Sequence, residues 1–347
     1  MAVTLSDVAE KAGVSVSAVS RVLTNAPSAR VGQATRERIE EAARELGYRP
    51  NFAGRALKFS RSNVVAMVVP DLTNAIFSEL MRGVEDAGIE HDHLVLLGRS
   101  EDMQPGGPTL TKLIGEGRVD GMLLQASDEI YPREIEALLD SESPVVFINS
   151  IRGAGRSSVS LPDREGARVA TRALLDLGHR DIAFVGGTPF AGTALPRERG
   201  FRDELAAAGI DTRDEWVTDL GYTAVQGRAA LQQLWSLPRH PTAVVVANLN
   251  AAIGLLAEAR QVGVNVPDDL SVIAIHDAWT AENTSPALTT VRMPLYELGR
   301  AGLEALLGAM SGQEARDETI SDPEPLLVAR DSTRALRRPL HRTPRST

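Results

Sequence analysis

The chain has 347 residues, 43% of them hydrophobic, and no cysteine, with 37 Lys and Arg against 46 Asp and Glu for a net charge of −9. That length accommodates two or three ordinary domains, and the missing cysteine excludes disulfide frameworks, thiolate nucleophiles and cysteine zinc sites. No apolar run approaches the roughly 18 residues that span a bilayer, and Met1 leads into Leu5-Ser6-Asp7-Val8 without a secretory signal's basic and long apolar regions, so the expected setting is the cytoplasm.

The first element expected is a helix over Leu5 to Ala12, where Leu5, Val8, Ala9 and Ala12 make one buried stripe. Gly13 stops it, and Ser15 stands where an N-cap belongs for a second helix beginning at Val16. That helix buries Val19, Val22 and Leu23, leaving Val16, Ser17, Ala18, Ser20 and Arg21 outward or toward its N-terminal end. Two short helices around a tight turn also describe an ordinary helical hairpin; a short polar face near the second helix's start is what a helix-turn-helix presents to the major groove.

A third helix is expected near Ala34 to Leu46, ended by Gly47 and Tyr48-Arg49-Pro50. Asn51 to Lys58 then reads as a segment too short to hold a helix alone, with Asn51 as an N-cap and Arg55 and Lys58 suggesting an anionic partner. Charge agrees: residues 1–61 carry ten Lys and Arg against six Asp and Glu, a net +4, leaving −13 for the remainder. Only the head suits a phosphate backbone.

From Asn63 the runs VVAMVV, HLVLL, GMLL, PVVFI, DIAFV, TAVVV and SVIAI alternate with amphipathic stretches, which predicts doubly wound α/β sheets. Such a scaffold hosts many enzymes. Here Gly186-Gly187 lacks the spacing of a dinucleotide fingerprint, His91 and His93 lack further ligands for a metal, and no nucleophile elbow or P-loop occurs. No catalytic constellation, cofactor or metal site is expected.

Together the stretches LSDVAEKAGVSVSAVSRVL, TRERIEEAARELGYRPN, the hinge RAL, VVPDLTN, LGHRDIAFVGG and LTTVRMP resemble the LacI/GalR family of bacterial transcriptional regulators, from Thr4 to about Thr333. The resemblance implies an all-α helix-turn-helix head over 1–49, a hinge over 50–62, and a body over 63–332 of two lobes like periplasmic binding proteins. The lobes would divide near Leu161, with the chain crossing back near Arg292 and again near Asp322. Lobe 1 would thus hold 63–161 and 292–322, and lobe 2 162–291 and 323–332. The Arg- and Pro-rich residues 333–347 carry no apolar heptad and read as a disordered tail, which favours a dimer over a tetramer.

The implied mechanism is repression by a homodimer on a pseudo-palindromic operator, controlled by a small effector, without enzymatic activity. Val16, Ser17 and Arg21 would face base edges, with Ala18 where the family commonly has Thr. Ser15, Ser20, Asn25 and Thr35 would hold phosphates, and Leu57 would wedge into the minor groove.

Between the lobes, the family pattern carried over residue by residue places Asn74, Ile76, Phe77, Asn149, Leu161, Arg197, Tyr222, Asn248, His276 and Met293. The apolar members are equally good core residues. Three departures from the sugar-binding pattern remove negative charge: Asn149 for a carboxylate, Asn248-Leu249 for Asn-Asp, and His276-Asp277 for Asp-Asp. The expected effector is therefore a sugar-derived compound other than a plain neutral monosaccharide, with an anion paired by Arg197 and protonated His276 as the sharpest form. The alternatives are a small-molecule binding protein without a regulatory role and a regulator whose cleft binds no ligand.

Overall fold

The computed structural model describes residues 3–23, 31–49, 61–100, 109, 111–125, 144–150, 155–189 and 192–336. The chain falls into two compact units, Met1–Ser62 and Asn63–Thr347.

In the first unit, α1 (Leu5–Ala12) begins on a reciprocal capping box: Asp7 N donates to Thr4 Oγ1 at 3.4 Å and Thr4 N donates to the Asp7 carboxylate at 2.7 Å. Gly13 ends the helix at φ 64°, a conformation that suits glycine. Ser15 Oγ accepts from Ala18 N at 3.2 Å and caps α2 (Val16–Leu23). The third helix, α3 (Gln33–Glu45), packs Ile39, Ala42 and Ala43 against Val8, Ala9, Ala12, Val19 and Val22. Arg38 Nε donates to the Ala12 carbonyl at 3.1 Å, satisfying the end of α1 from α3. Asn25, Asn51, Arg55, Leu57 and Lys58 lie outside the described residues.

The second unit holds two six-stranded sheets. The first is built from β1 (Val64–Val69), β2 (Leu94–Arg99), β3 (Gly121–Leu124), β4 (Val145–Ile148), β5 (Ser158–Ser160) and β11 (Asp317–Thr319), in the order β11-β5-β4-β3-β1-β2 and parallel throughout. The second takes β6 (Ile182–Val185), β7 (Val217–Thr218), β8 (Ala243–Val246), β9 (Ser271–Ile275), β10 (Thr289–Arg292) and β12 (Leu326–Val328), in the order β12-β10-β9-β8-β6-β7, with β12 antiparallel. The chain crosses between sheets after Ser160, after Arg292 and after Thr319. Strands such as β1 and β8 are apolar at every position because both faces are covered.

Helices cover the sheets: α4 (Phe77–Glu90) and α10 (Leu295–Met310) on the first; α5 (Asp163–Asp176), α6 (Ala194–Ala207), α7 (Ala224–Trp235) and α8 (Leu249–Val262) on the second, with α9 (Trp279–Glu282) as a single turn. Where α4 crosses α10 the backbones nearly touch. A Cβ on Gly83 would fall 2.0 Å from the Tyr296 carbonyl oxygen, and one on Gly299 2.2 Å from that of Leu80.

One expectation is corrected. Thr333–Leu336, read as the start of the tail, are bonded into the second lobe. Leu336 N donates to the Leu177 carbonyl at 2.8 Å, and the Arg334 carbonyl lies 3.0 Å from His179 Nε2. Bonds between backbone groups are blind to side-chain polarity, and composition alone hid them.

Candidate functional site

On the head, the N-terminal end of α2 is the face left over once the core is made. Ser15, Val16, Ser17 and Arg21 are exposed, Val16 by 44%, while Ala18, Ser20 and Thr35 are half-buried. An apolar Val16 held in water on a capped, rigid helix is available to a methyl group, and Ser15 and Ser17 offer hydroxyls beside it. Arg21 lies back along its helix, Nε donating to the Ser17 carbonyl at 3.1 Å.

In the body, the effector residues divide into two kinds. Ile76, Phe77, Leu161 and Met293 are at most 4% exposed and belong to one continuous core. Met293 fits over Gly166, where a Cβ would stand 2.7 Å from its Sδ. Asn74, Asn149, Arg197, Tyr222, Asn248 and His276 are polar and sit just past strand ends or on the helices facing them.

Arg197, 2% exposed on α6, anchors these polar groups. Its guanidinium donates to Asp163 Oδ1 from Nε at 2.8 Å and Nη2 at 2.7 Å, to the Ala247 carbonyl, and to His276 Nε2 at 2.9 Å. The Tyr222 ring lies beside it, 5.5 Å from Cζ to ring centroid, with Oη 2.9 Å from Thr193 Oγ1. Burial pushes the Asp163 carboxyl up and the Arg197 guanidinium opposes this. The guanidinium keeps its own proton, so its full positive charge faces this carboxyl. The first residue of α5 thus supplies the counter-charge, and nothing in the sequence pattern marked it.

His276 is corrected on the same geometry. A guanidinium only donates, so Nε2 must accept, and the proton belongs on Nδ1. Burial, then the Arg197 charge, hold the imidazole well below its ordinary pKa. The expected anion receptor of Arg197 and a protonated His276 is therefore not formed: one group is already paired and the other is neutral. Asp277 is also paired, by Thr290 Oγ1 at 2.7 Å, Arg330 at 2.8 Å and Arg292 at 2.9 Å. Burial pushes its carboxyl up, but these three donors outweigh it and leave it below the ordinary value.

The strand ends carry other marks of a binding site. Asn149 and His276, each following a strand, take left-handed φ values of 43° and 72°, a cost that functional sites tolerate. Among the described residues, the buried side-chain polar atoms without a hydrogen-bond partner are Ser100 Oγ, Thr188 Oγ1, Thr218 Oγ1, His276 Nδ1 and Thr280 Oγ1. All five lie at or shortly past the carboxyl ends of β2, β6, β7 and β9, where ligands bind in open α/β sheets. A pocket of about 600 Å³ opens between the lobes, lined by Asn149, Leu161, Asp163, Thr193, Pro196 and Thr319 among others. Gly187 is accounted for here: it admits the Tyr222 ring, whose Cζ would be 2.2 Å from a Cβ.

Residues 4–51 match the family model for bacterial regulatory proteins of the lacI family, and residues 171–333 match a periplasmic binding protein-like domain. The chain is 35% identical over 337 residues to the HTH-type transcriptional repressor CytR of Escherichia coli K12, covering 96% of this chain and 97% of that one. The protein belongs to the LacI family. Solved relatives agree. A LacI family transcriptional regulator from Mycobacterium smegmatis superposes with TM-score 0.73 at 39% identity, over 78% of this chain and 99% of that one. The Lac repressor dimer bound to operator and the anti-inducer ONPF gives 0.78 at 25% identity, over 96% and 100%. This LacI-family chain is accordingly a transcriptional repressor by relationship rather than an enzyme. No helix among its described residues is long and apolar enough to cross a membrane.

Proposed function

We propose that this protein is a homodimeric repressor whose operator affinity is set by a small molecule held between the two lobes of its body. The observation that carries the reading is the face of α2: Ser15, Val16 and Ser17 exposed on a helix whose cap and core leave it no internal task. Val16 meets a thymine methyl and Arg21, swung out from Ser17, a guanine. Ser15, Ser20, Asn25 and Thr35 hold phosphates, and Leu57 opens the minor groove at the operator centre.

The dimer reading is supported by an edge of the first sheet that no strand among the described residues covers. There β2 ends the sheet order, Leu94 is 69% exposed, Leu96 and Leu97 are more than two-fifths exposed, and Ile89 on the preceding helix is 76% exposed. An apolar edge of this kind pairs with another chain unless it is covered, and a second copy covers it symmetrically. The cleft reading rests on the orphaned polar atoms and strained backbone at the strand ends.

The test is binding of the purified full chain to DNA fragments around its own gene, with Leu57→Ala and Leu96→Glu beside it. Specific binding that Leu57→Ala abolishes, and a shift to monomer with weakened operator binding in Leu96→Glu by sedimentation, are expected. Sequence-indifferent binding would refute the repressor reading, and a Leu96→Glu protein that stays dimeric would refute this edge as the interface.

A further inference from the structure

The cations on the head's three helices fall into two groups. Lys11 on α1 pairs with Glu45 on α3 at 2.5 Å, and on α3 itself Arg36 pairs with Glu40 at 3.9 Å and Arg44 with Glu41. Arg21 and Arg38 meet no carboxylate among the described residues. Each lays Nε on a backbone carbonyl at 3.1 Å, Arg21 on that of Ser17 in its own helix and Arg38, from α3, on that of Ala12 at the end of α1. Arg21 belongs to the exposed face of α2, whereas Arg38 has been given no part in DNA binding.

A carbonyl accepts a hydrogen bond from a guanidinium without cancelling its charge. Nε uses one of the five N–H donors of Arg38, and the four on Nη1 and Nη2 make no hydrogen bond among the described residues. The other acids of α3 do not compete for them: Glu37 takes Gln33 Nε2 at 3.1 Å, and Glu40, Glu41 and Glu45 hold Arg36, Arg44 and Lys11. Arg38 is exposed, and the bond to Ala12 holds its fork in one place, so less side-chain freedom is lost when a ligand closes on it.

Its neighbours are the hydroxyls expected to hold phosphates. Ala12 stands three residues before Ser15, the exposed cap of α2, and Thr35 lies three residues before Arg38 on the same face of α3. We propose that Arg38 is a phosphate clamp of the head: braced on the Ala12 carbonyl through Nε, it closes its two Nη nitrogens on one phosphate of the operator, beside Ser15 and Thr35. The planar fork matches two phosphate oxygens, and a charge that no carboxylate meets displaces a counterion from the duplex. The inference rests on the reading of the protein as an operator-binding repressor.

The test uses the full chain, the DNA fragment it prefers from around its own gene and a scrambled duplex of equal length, with affinity followed by fluorescence anisotropy over a salt series. Arg38→Gln is expected to reduce the slope of log affinity against log salt by about 0.9, the counterion released at one phosphate of B-DNA. It should do so on both duplexes, because a phosphate carries no sequence. Its deficit against the unaltered chain should then shrink about 3.5-fold between about 50 and 200 mM salt. Arg44→Gln removes the same charge from the same helix and should leave the slope unchanged. Arg38→Lys keeps the charge without the fork, and should keep the slope while binding more weakly.

An unchanged slope in Arg38→Gln, an equal fall in Arg44→Gln, or a fall in Arg38→Lys as large as in Arg38→Gln would each overturn the inference; the last would mean that the turn had been disturbed and no phosphate contact removed. The two readings fail separately. If the slope falls as expected but no fragment is preferred to the scrambled duplex, the clamp stands and the repressor reading falls; if the preference is there and the slope does not move, the clamp alone falls.

Discussion

Gly187→Ala is expected to destabilise the body through a single side chain. A Cβ at Gly187 would lie 2.2 Å from Tyr222 Cζ, 2.5 Å from Oη and 2.7 Å from Cε1, whereas carbon atoms rest about 3.5–4.0 Å apart. The ring must therefore retreat by more than ~1 Å. It is not free to do so, since Oη is bonded to Thr193 and the ring sits against Arg197. Gly187 is absent from the left-handed φ positions, so alanine carries no backbone penalty there and the cost is the collision. Overpacking of this kind costs about 1–3 kcal/mol. In Tyr222→Ala the obstacle is gone, and adding Gly187→Ala should then cost close to nothing, a coupling of about 1–3 kcal/mol in the double-mutant cycle. Urea unfolding followed by tryptophan fluorescence suits the measurement, because the three tryptophans, Trp216, Trp235 and Trp279, all lie in the second lobe. Equal costs for Gly187→Ala with and without Tyr222 would refute the reasoning.

Asp163→Asn should cost about 3–5 kcal/mol, the usual result of leaving one member of a buried pair alone. Asp163→Leu with Arg197→Met should be milder than either single change, and additivity in urea unfolding would sink this account of the pair. Stability should also fall between about pH 7 and pH 5. His276 and His179 are both held below their ordinary values, by burial first, so they bind protons more readily when unfolded. Their contribution is complete above the unfolded pKa of about 6.5 and is lost as pH falls from there, by at most ~1.4 kcal/mol per pH unit for each. Asp163, raised by burial, acts in the opposite sense, and Glu204 and Asp277, both lowered, lose theirs only as pH falls through their own depressed values. His276→Asn should flatten the slope in the urea midpoint over that window; an unchanged slope would show that His276 does not titrate as described.

The α/β body was legible because its central parallel strands are mostly apolar, and Val64–Val69, Gly121–Leu124 and Ser271–Ile275 coincide with runs read from the sequence. Missed were β5, β7, β11 and β12, of two or three residues each, and β10, of four, and Ser158–Ser160 shows why. A strand that short has no periodicity, and its place is set by the neighbours that pair with it. The head was legible through Gly13 and Ser15, whose capping roles depend on residues three or four positions away, whereas the Thr4 cap was not read from the sequence. At the cleft, residue types were visible but their partners were not. Arg197 reads as a free cation until Asp163, 34 positions earlier, is found against it. His276 reads as a titrating switch until its neighbour is seen to be a guanidinium.

Helix α4 starts at Phe77, one residue past Ile76 in the core beneath the cleft, and ends at Glu90, beside exposed Ile89 and four residues short of the edge strand. Its 14 residues make a rod of ~21 Å, clamped at mid-length where Gly83 meets the backbone of α10. On the proposed function, one helix thus has its first residue in the core beneath the cleft and its last turn beside the exposed apolar edge, so that a shift of Phe77 on effector binding would reach Ile89 without passing through any loop.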